Sequence, residues 1–129
     1  MKKTLVLLLA AAVVVLLLSG YLLLKNPAFS NLFGNSSLVR IDILKNSWAF
    51  TPEQITLKKN KTYTIQINNH DDYPHGFSVE ELHINKYIPP SKTMTFELKP
   101  TISGEFTSYC SVVCGQGHFK MRGKVIILE

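Results

Sequence analysis

Short runs in which apolar and polar residues alternate occupy much of residues 38–129, and they constrain the fold more than any other feature of the chain. The clearest examples are residues 39–44, 62–67 and 93–98. A period of two over five or six residues is typical of a strand with one buried face. Turn-forming pairs separate the runs, among them Asn68-Asn69, Pro89-Pro90 and Ser103-Gly104. Several short strands at this spacing predict an all-β sandwich.

The N-terminus is apolar over the length of a membrane span. A largely apolar run from Thr4 to Leu24 follows Lys2 and Lys3. At about 1.5 Å per residue, a helix over this run would be about 31 Å long, which matches the hydrocarbon thickness of a bilayer. A cleaved signal peptide is the alternative, but its apolar core would be shorter and Leu18-Ser19-Gly20 is a poor cleavage site. The sequence therefore predicts an uncleaved anchor over residues 1–24.

Orientation and domain limits follow from the residues around this run. The positive-inside rule keeps Lys2 and Lys3 in the cytoplasm. We therefore expect a single-pass protein of the cytoplasmic membrane, with its C-terminal domain on the exocytoplasmic side. Residues 25–37 are rich in Asn, Ser, Gly and Pro, which predicts a linker. Residues 38–129 then form one domain of about ninety residues, within the size range of a single-core sandwich.

The net charge gives no indication of a nucleic-acid partner. The formal charge is +5, and three of the positive charges belong to Lys2, Lys3 and Lys25 beside the apolar run. The other Lys and Arg residues are scattered along the chain rather than clustered in a stripe. We therefore predict no nucleic-acid binding.

One segment near the C-terminus is rich in metal-ligand side chains. Residues 110–121 contain two thiols, one imidazole and one thioether, at Cys110, Cys114, His118 and Met121. Thiolate and thioether together favour copper, and a single-copper site of this type uses only one Cys. The second Cys is explained if two copper ions are bridged by two sulfurs. Two alternatives stay open, a disulfide between the two Cys residues and a zinc site of two Cys and two His, but neither uses Met121.

The spacing C-x3-C-x3-H-x2-M resembles the binuclear CuA loop of cytochrome c oxidase subunit II and of nitrous oxide reductase. In that family a further His lies upstream on a separate strand. Here the segment Asp72-Tyr73-Pro74-His75-Gly76-Phe77 occupies that place, and its Asp three residues before His75 is also similar to family members. The resemblance covers residues 38–129 and implies a Greek-key cupredoxin-like β-sandwich with two copper ions.

The resemblance also implies a role for each ligand. Cys110 and Cys114 would bridge the copper ions, His75 and His118 would be terminal ligands, and Met121 would be a weak axial ligand. The main-chain carbonyl of Val112 would complete the set. Oxidase subunit II often has Glu at the Val112 position, so a contact through that side chain is not expected here.

Three further residues lie outside this ligand set. Trp48 matches an aromatic patch at which some family members receive electrons, although packing in the sandwich core would also explain an aromatic residue there. His70 and His83 do not match the family pattern, and we expect both to be exposed.

The implied chemistry is one-electron transfer, because the sequence offers no nucleophile with a base and no paired acid. The resemblance implies a short, single-anchor subunit II of a heme–copper cytochrome c oxidase. Such a subunit would accept electrons from an exocytoplasmic c-type cytochrome or small copper protein and pass them to subunit I. As an isolated chain it would be a relay without a catalytic centre. The alternatives are a stand-alone CuA electron carrier and a copper-binding or delivery protein.

Overall fold

The computed structural model describes residues 13–21 and 37–129. Residues 13–21 are helical. Within these two described ranges, no helix is long and apolar enough to cross a membrane. The anchor predicted over residues 1–24 and the linker predicted over residues 25–37 lie mostly outside the described residues, so both stay predictions.

Residues 37–129 form two β-sheets. Their strands are β1 (Ser37–Ile43), β2 (Gln54–Lys58), β3 (Tyr63–Asn69), β4 (His75–Val79), β5 (Ile84–Ile88), β6 (Thr93–Leu98), β7 (Gly104–Tyr109) and β8 (Arg122–Leu128). One sheet has the order β1-β3-β6 and the other has the order β2-β8-β7-β4-β5. The β1–β3 and β2–β8 pairs are parallel, and the remaining pairs are antiparallel. The predicted all-β sandwich is confirmed.

The core follows from the alternation in the sequence. In β3 the side chains of Tyr63, Ile65 and Ile67 are buried, and the residues between them are partly exposed. In the opposite sheet β4 is buried along its whole length, because β5 and β7 flank it on both sides. Phe50 and Phe77 meet edge to face in this core, with ring centroids 5.2 Å apart. Burial of each such side chain contributes about 1.5–3 kcal/mol to the free energy of folding, so this core holds the two sheets together.

The same topology brings the predicted ligands together. His75 is the first residue of β4, and β4 pairs with β7 through Ser78 and Tyr109. Strand β7 ends at Tyr109, and the chain returns to the sheet at Arg122, which is opposite Tyr109 in the β7–β8 ladder. Residues 110–121 therefore form a loop at the end of the sheet where β4 begins.

Candidate metal centre

The two cysteine sulfurs face each other inside the protein. Cys110 Sγ and Cys114 Sγ are 3.5 Å apart, and both residues are free thiols. Their exposed fractions are only 3% and 2%. Two buried sulfurs at this distance could both contact the same small cation.

Each sulfur also has its own imidazole neighbour. His75 Nδ1 lies 4.0 Å from Cys110 Sγ, and His118 Nδ1 lies 3.7 Å from Cys114 Sγ. The donor atoms of His75, Cys110 and Cys114 all lie within 4.8 Å of one another. His75 is fully buried, whereas His118 is half-buried in the loop. The donors are therefore arranged as two sulfur–imidazole pairs joined at the sulfurs.

The two thiols differ in acidity because their surroundings differ. Burial raises the pKa of Cys110, but the adjacent His75 ring and the Gly76 N–H, which donates to the sulfur at 3.3 Å, lower it to about 6. Burial and the neighbouring Cys110 raise the pKa of Cys114 to about 12. Cys110 therefore ionises more readily than Cys114. A bound cation would favour the ionised form of both, since metal ligation requires the thiolate form.

Val112 and Met121 both have main-chain oxygens close to Cys110. The carbonyl oxygen of Val112 is 3.1 Å from Cys110 Sγ. Met121 is fully buried, and its main-chain oxygen accepts a hydrogen bond of 3.1 Å from the Cys110 N–H. Cys110, His118 and Met121 also line one open cleft of about 360 Å³. All six residues predicted as ligands thus belong to one end of the sandwich.

We expect Met121→Leu to keep the metal content and raise the midpoint potential. The swap conserves volume, so its stability cost should stay below about 1.5 kcal/mol. In the role that the resemblance implies, the Met121 thioether is a weak axial donor that favours the oxidised state, and such ligands tune copper potentials. Metal analysis and redox titration of the two proteins measure both effects. Complete loss of copper from the variant would show that Met121 is more than an axial ligand.

Trp48 holds the ligand loop rather than filling the centre of the core. Its indole Nε1–H donates a hydrogen bond of 3.2 Å to the carbonyl oxygen of Cys114. The ring lies directly against the loop: a Cβ added at Gly117 would be 2.3 Å from Trp48 Cγ, and one at Gly115 would be 3.2 Å from Nε1. Gly115 also has a φ of 122°, which other residues rarely adopt. Both glycines therefore permit the contact between the loop and the half-buried Trp48.

One buried polar residue beside the centre was missed by the sequence reasoning. Asp71 is 1% exposed, and its Oδ2 lies 3.2 Å from His75 Nε2. The aspartate that is similar to family members is Asp72, three residues before His75, but it is exposed and forms an ion pair with Lys45. Asp71 and Asp72 are adjacent residues of the same type, so the sequence does not indicate which side chain is buried.

The remaining histidines are exposed, as predicted. His70 lies on the surface, where its Nε2 is 2.9 Å from Asp42 Oδ1. His83 ends a short 3-10 helix, Glu80–Leu82, and is also exposed. Neither belongs to the sulfur–imidazole arrangement described above.

The donor set suits copper. It combines two sulfurs that can be ionised, two imidazole nitrogens and a thioether, in a site that is largely screened from water. Soft sulfur ligands with imidazole select copper over the hard cations, which prefer oxygen. The His75 ring already directs Nδ1 towards Cys110 and Nε2 away from it, so little rearrangement of that side chain is needed.

Comparison with known proteins agrees with this fold. Residues 9–127 match the family described as Cupredoxin-like domain. Over 109 residues the chain is 29% identical to the nitrous-oxide reductase of Cupriavidus necator, covering 82% of this chain and 17% of that protein. Over 87 residues it is 28% identical to cytochrome c oxidase subunit 2 of Thermus thermophilus, covering 67% of this chain and 64% of that protein.

A solved structure of similar fold is auracyanin A, a "blue" copper protein from Chloroflexus aurantiacus. The two share a TM-score of 0.61 and 15% sequence identity, covering 73% of this chain and 100% of auracyanin A. At this identity the likeness shows the fold alone. The matched segment spans less than two thirds of the length of both relatives named above. The chain belongs to the cupredoxin-like domain family, whose members bind copper, and its relatives include subunit 2 of cytochrome c oxidase.

Proposed function

We propose that this protein is a membrane-anchored electron-transfer protein with a binuclear CuA centre, acting as the subunit II-like component of a heme–copper cytochrome c oxidase. The observation that carries the proposal is the paired arrangement of donors. Each cysteine sulfur has a different histidine Nδ1 as its neighbour, and the two sulfurs face each other at 3.5 Å. A single-copper site of this type uses only one cysteine, so the second cysteine is explained by a second copper ion.

The surroundings of the donors suit a relay. His75, Cys110, Cys114 and His118 would hold two copper ions, which would supply one-electron transfer when bound. The protein supplies rigidity, because His75 starts a fully buried strand and the loop from Cys110 is closed by a hydrogen bond to Met121. Ligands that are held in this way move little between redox states, and hydrogen bonds around them set the potential.

Residues at the surface of the loop favour a weak, transient partner. Val113 and Phe119 are each 83% exposed, and Phe119 lies beside the half-buried His118 with ring centroids 5.0 Å apart. Exposed apolar side chains around a functional site commonly mark a protein contact. A c-type cytochrome or small copper protein is the donor that we propose, with subunit I of the oxidase as the acceptor.

Trp48 is the proposed point at which electrons arrive, because a single hydrogen bond joins its indole to the Cys114 carbonyl. We expect Trp48→Phe to keep the ring packing but to slow reduction by a c-type cytochrome several-fold. Stopped-flow kinetics measure this rate, and copper content and midpoint potential of the same samples serve as controls. An unchanged rate at unchanged potential would exclude Trp48 from the route.

Localisation forms part of the proposal. Lys2 and Lys3 before the long apolar run support a single-pass protein of the cytoplasmic membrane, with the copper domain on the exocytoplasmic side. Membrane fractionation, combined with a reporter fused to the C-terminus that is active only outside the cytoplasm, tests this arrangement.

A second candidate is a stand-alone CuA carrier that serves another reductase. Its support is the matched segment of nitrous-oxide reductase, which is longer than the matched segment of oxidase subunit 2. Delivery of copper is a weaker candidate, because both thiols are almost fully buried and rapid exchange favours accessible ligands. A gene for subunit I beside the gene for this chain would favour the oxidase.

The decisive experiment is copper loading of the full chain in detergent after thiol reduction. Metal analysis should give two copper ions per chain, and EPR of the same sample should show one unpaired electron shared equally by both copper nuclei. One copper ion per chain, or preference for zinc under the same conditions, would contradict the binuclear centre.

A further inference from the structure

We propose that Asp71 is a positioning residue for the metal centre: it holds His75 in the tautomer that leaves Nδ1 free for copper, and its negative charge lowers the midpoint potential of the centre. The first half concerns the protein alone, and the second half rests on the proposed function. Asp71 lies outside the set of residues expected to touch copper.

The geometry around His75 assigns its two nitrogens to different partners. Nε2 faces Asp71 Oδ2 at 3.2 Å, and Nδ1 faces the sulfur of Cys110 at 4.0 Å. A carboxylate only accepts hydrogen bonds, so the proton of a neutral ring lies on Nε2. The lone pair on Nδ1 then points towards the cysteines. Carboxylates that accept from the outer nitrogen of a metal-binding His fix its orientation in this way.

The side chain of residue 71 has to accept two hydrogen bonds on two different oxygens, which a carboxylate can do. The Asp72 N–H donates to Oδ1 at 2.8 Å, and in the proposed tautomer the His75 Nε2–H donates to Oδ2 at 3.2 Å. An asparagine has one oxygen and one NH2 group, so it can satisfy only one of these donors while its other group faces an N–H. Asp71→Asn is therefore a change in hydrogen bonding and charge at nearly constant volume.

Asp71 itself is held by the buried Asn69 and by a neighbouring turn. The Asp71 N–H donates to Asn69 Oδ1 at 2.9 Å, and the Asp71 carbonyl oxygen accepts from the Ser91 N–H at 3.0 Å. Asn69 Nδ2 donates in turn to the carbonyl oxygens of Tyr73 and Pro89 at 2.8 and 3.0 Å. These bonds fix both ends of the short segment that carries the carboxylate. The orientation of His75 is thus set by protein groups before any metal arrives.

Because Asp71 is buried, its charge has a stronger electrostatic effect on the metal centre than a surface charge would have. A charge that is 1% exposed is screened far less by water and salt than a surface charge. A negative charge beside a ligand favours the more positive, oxidised state of a metal centre. Asp72 carries the same charge one residue later but lies at the surface next to Lys45. The chain therefore contains its own matched control.

The first test needs no variant. Long-range proton–nitrogen NMR of the copper-free, reduced full chain in detergent, at a pH where the ring is neutral, identifies the protonated nitrogen of His75. We expect the proton on Nε2. A proton on Nδ1 would overturn the proposal, and this result is independent of copper binding.

The second test compares Asp71→Asn with Asp72→Asn after copper loading. We expect Asp71→Asn to bind copper about 10- to 100-fold more weakly and to show a higher midpoint potential, whereas Asp72→Asn should match the parent in both. Equal potentials in all three proteins, or equal shifts in both variants, would overturn the role of Asp71. Failure of the parent chain to bind copper would instead refute the proposed function, and the tautomer measurement would still decide the role of Asp71 on His75.

Discussion

Cys110→Ser is expected to abolish the spectrum of the binuclear centre. Cys110 is the most connected donor, since its sulfur lies near His75, Val112, Cys114 and the Gly76 N–H. A serine hydroxyl is a hard donor that does not ionise near neutral pH, so it cannot replace a bridging thiolate. We expect at most one copper ion per chain, with no electron shared between two nuclei.

A first control is to show that the Cys110→Ser protein keeps the fold of the parent. Serine is close to cysteine in size, so circular dichroism of the copper-free proteins should show the same β-structure and a similar thermal midpoint. Ser111→Ala changes an exposed neighbour of Cys110 and should keep both copper ions. A binuclear spectrum that survives in the Cys110→Ser protein would exclude the proposed centre.

Gly76→Ala is expected to displace the ligand loop and remove most of the copper. A Cβ at Gly76 would lie 2.3 Å from Ser111 Oγ, 2.7 Å from the Ser111 main-chain nitrogen and 3.0 Å from the Val112 nitrogen. Two of these atoms belong to the main chain, so the loop has to move away from β4. The same movement weakens the bond between the Gly76 N–H and Cys110 Sγ. Overpacking of this kind costs about 1–3 kcal/mol of unfolding free energy.

A double variant identifies the clashing atoms. Ser111→Gly removes the nearest Oγ but leaves the main-chain nitrogens in place, so we expect Gly76→Ala/Ser111→Gly to stay poor in copper. Copper content and thermal unfolding of the four proteins, including the parent and Ser111→Gly, complete the cycle. Full recovery in the double variant would mean that the clash is confined to the Ser111 side chain.

The features that could be predicted from the sequence are those that depend on residues close together along the chain. Alternation over residues 62–67 and 93–98 predicted strands that the structure places at Tyr63–Asn69 and Thr93–Leu98. The spacing from Cys110 to Met121 predicted a ligand loop between two strands, and β7 and β8 do flank it. Period and spacing depend on neighbours along the chain, so they are readable without the fold.

The features that could not be predicted depend on contacts between distant segments. Strand β1 pairs in parallel with β3, and β2 with β8, across long intervening stretches that carry no pairing signal. The contact of Trp48 with Gly117 joins residues that are far apart in the chain. After β3 the chain buries the side chain of Asp71 and exposes that of Asp72, and this depends on the contacts that the segment makes in the fold. Sequence pattern gives the type of each element but not its partner.

The closure of the ligand loop makes it a replaceable cassette. The chain leaves the sheet after Tyr109 and returns at Arg122, two residues that face each other in one ladder, and the Cys110 N–H bonded to the Met121 carbonyl joins the ends. Segments of other length or ligand content could therefore be grafted between the same two strands without a change of their register. Only His75 would be inherited from the scaffold. In this architecture a change of the loop sequence could change the metal that is bound, while the β-sandwich stays the same.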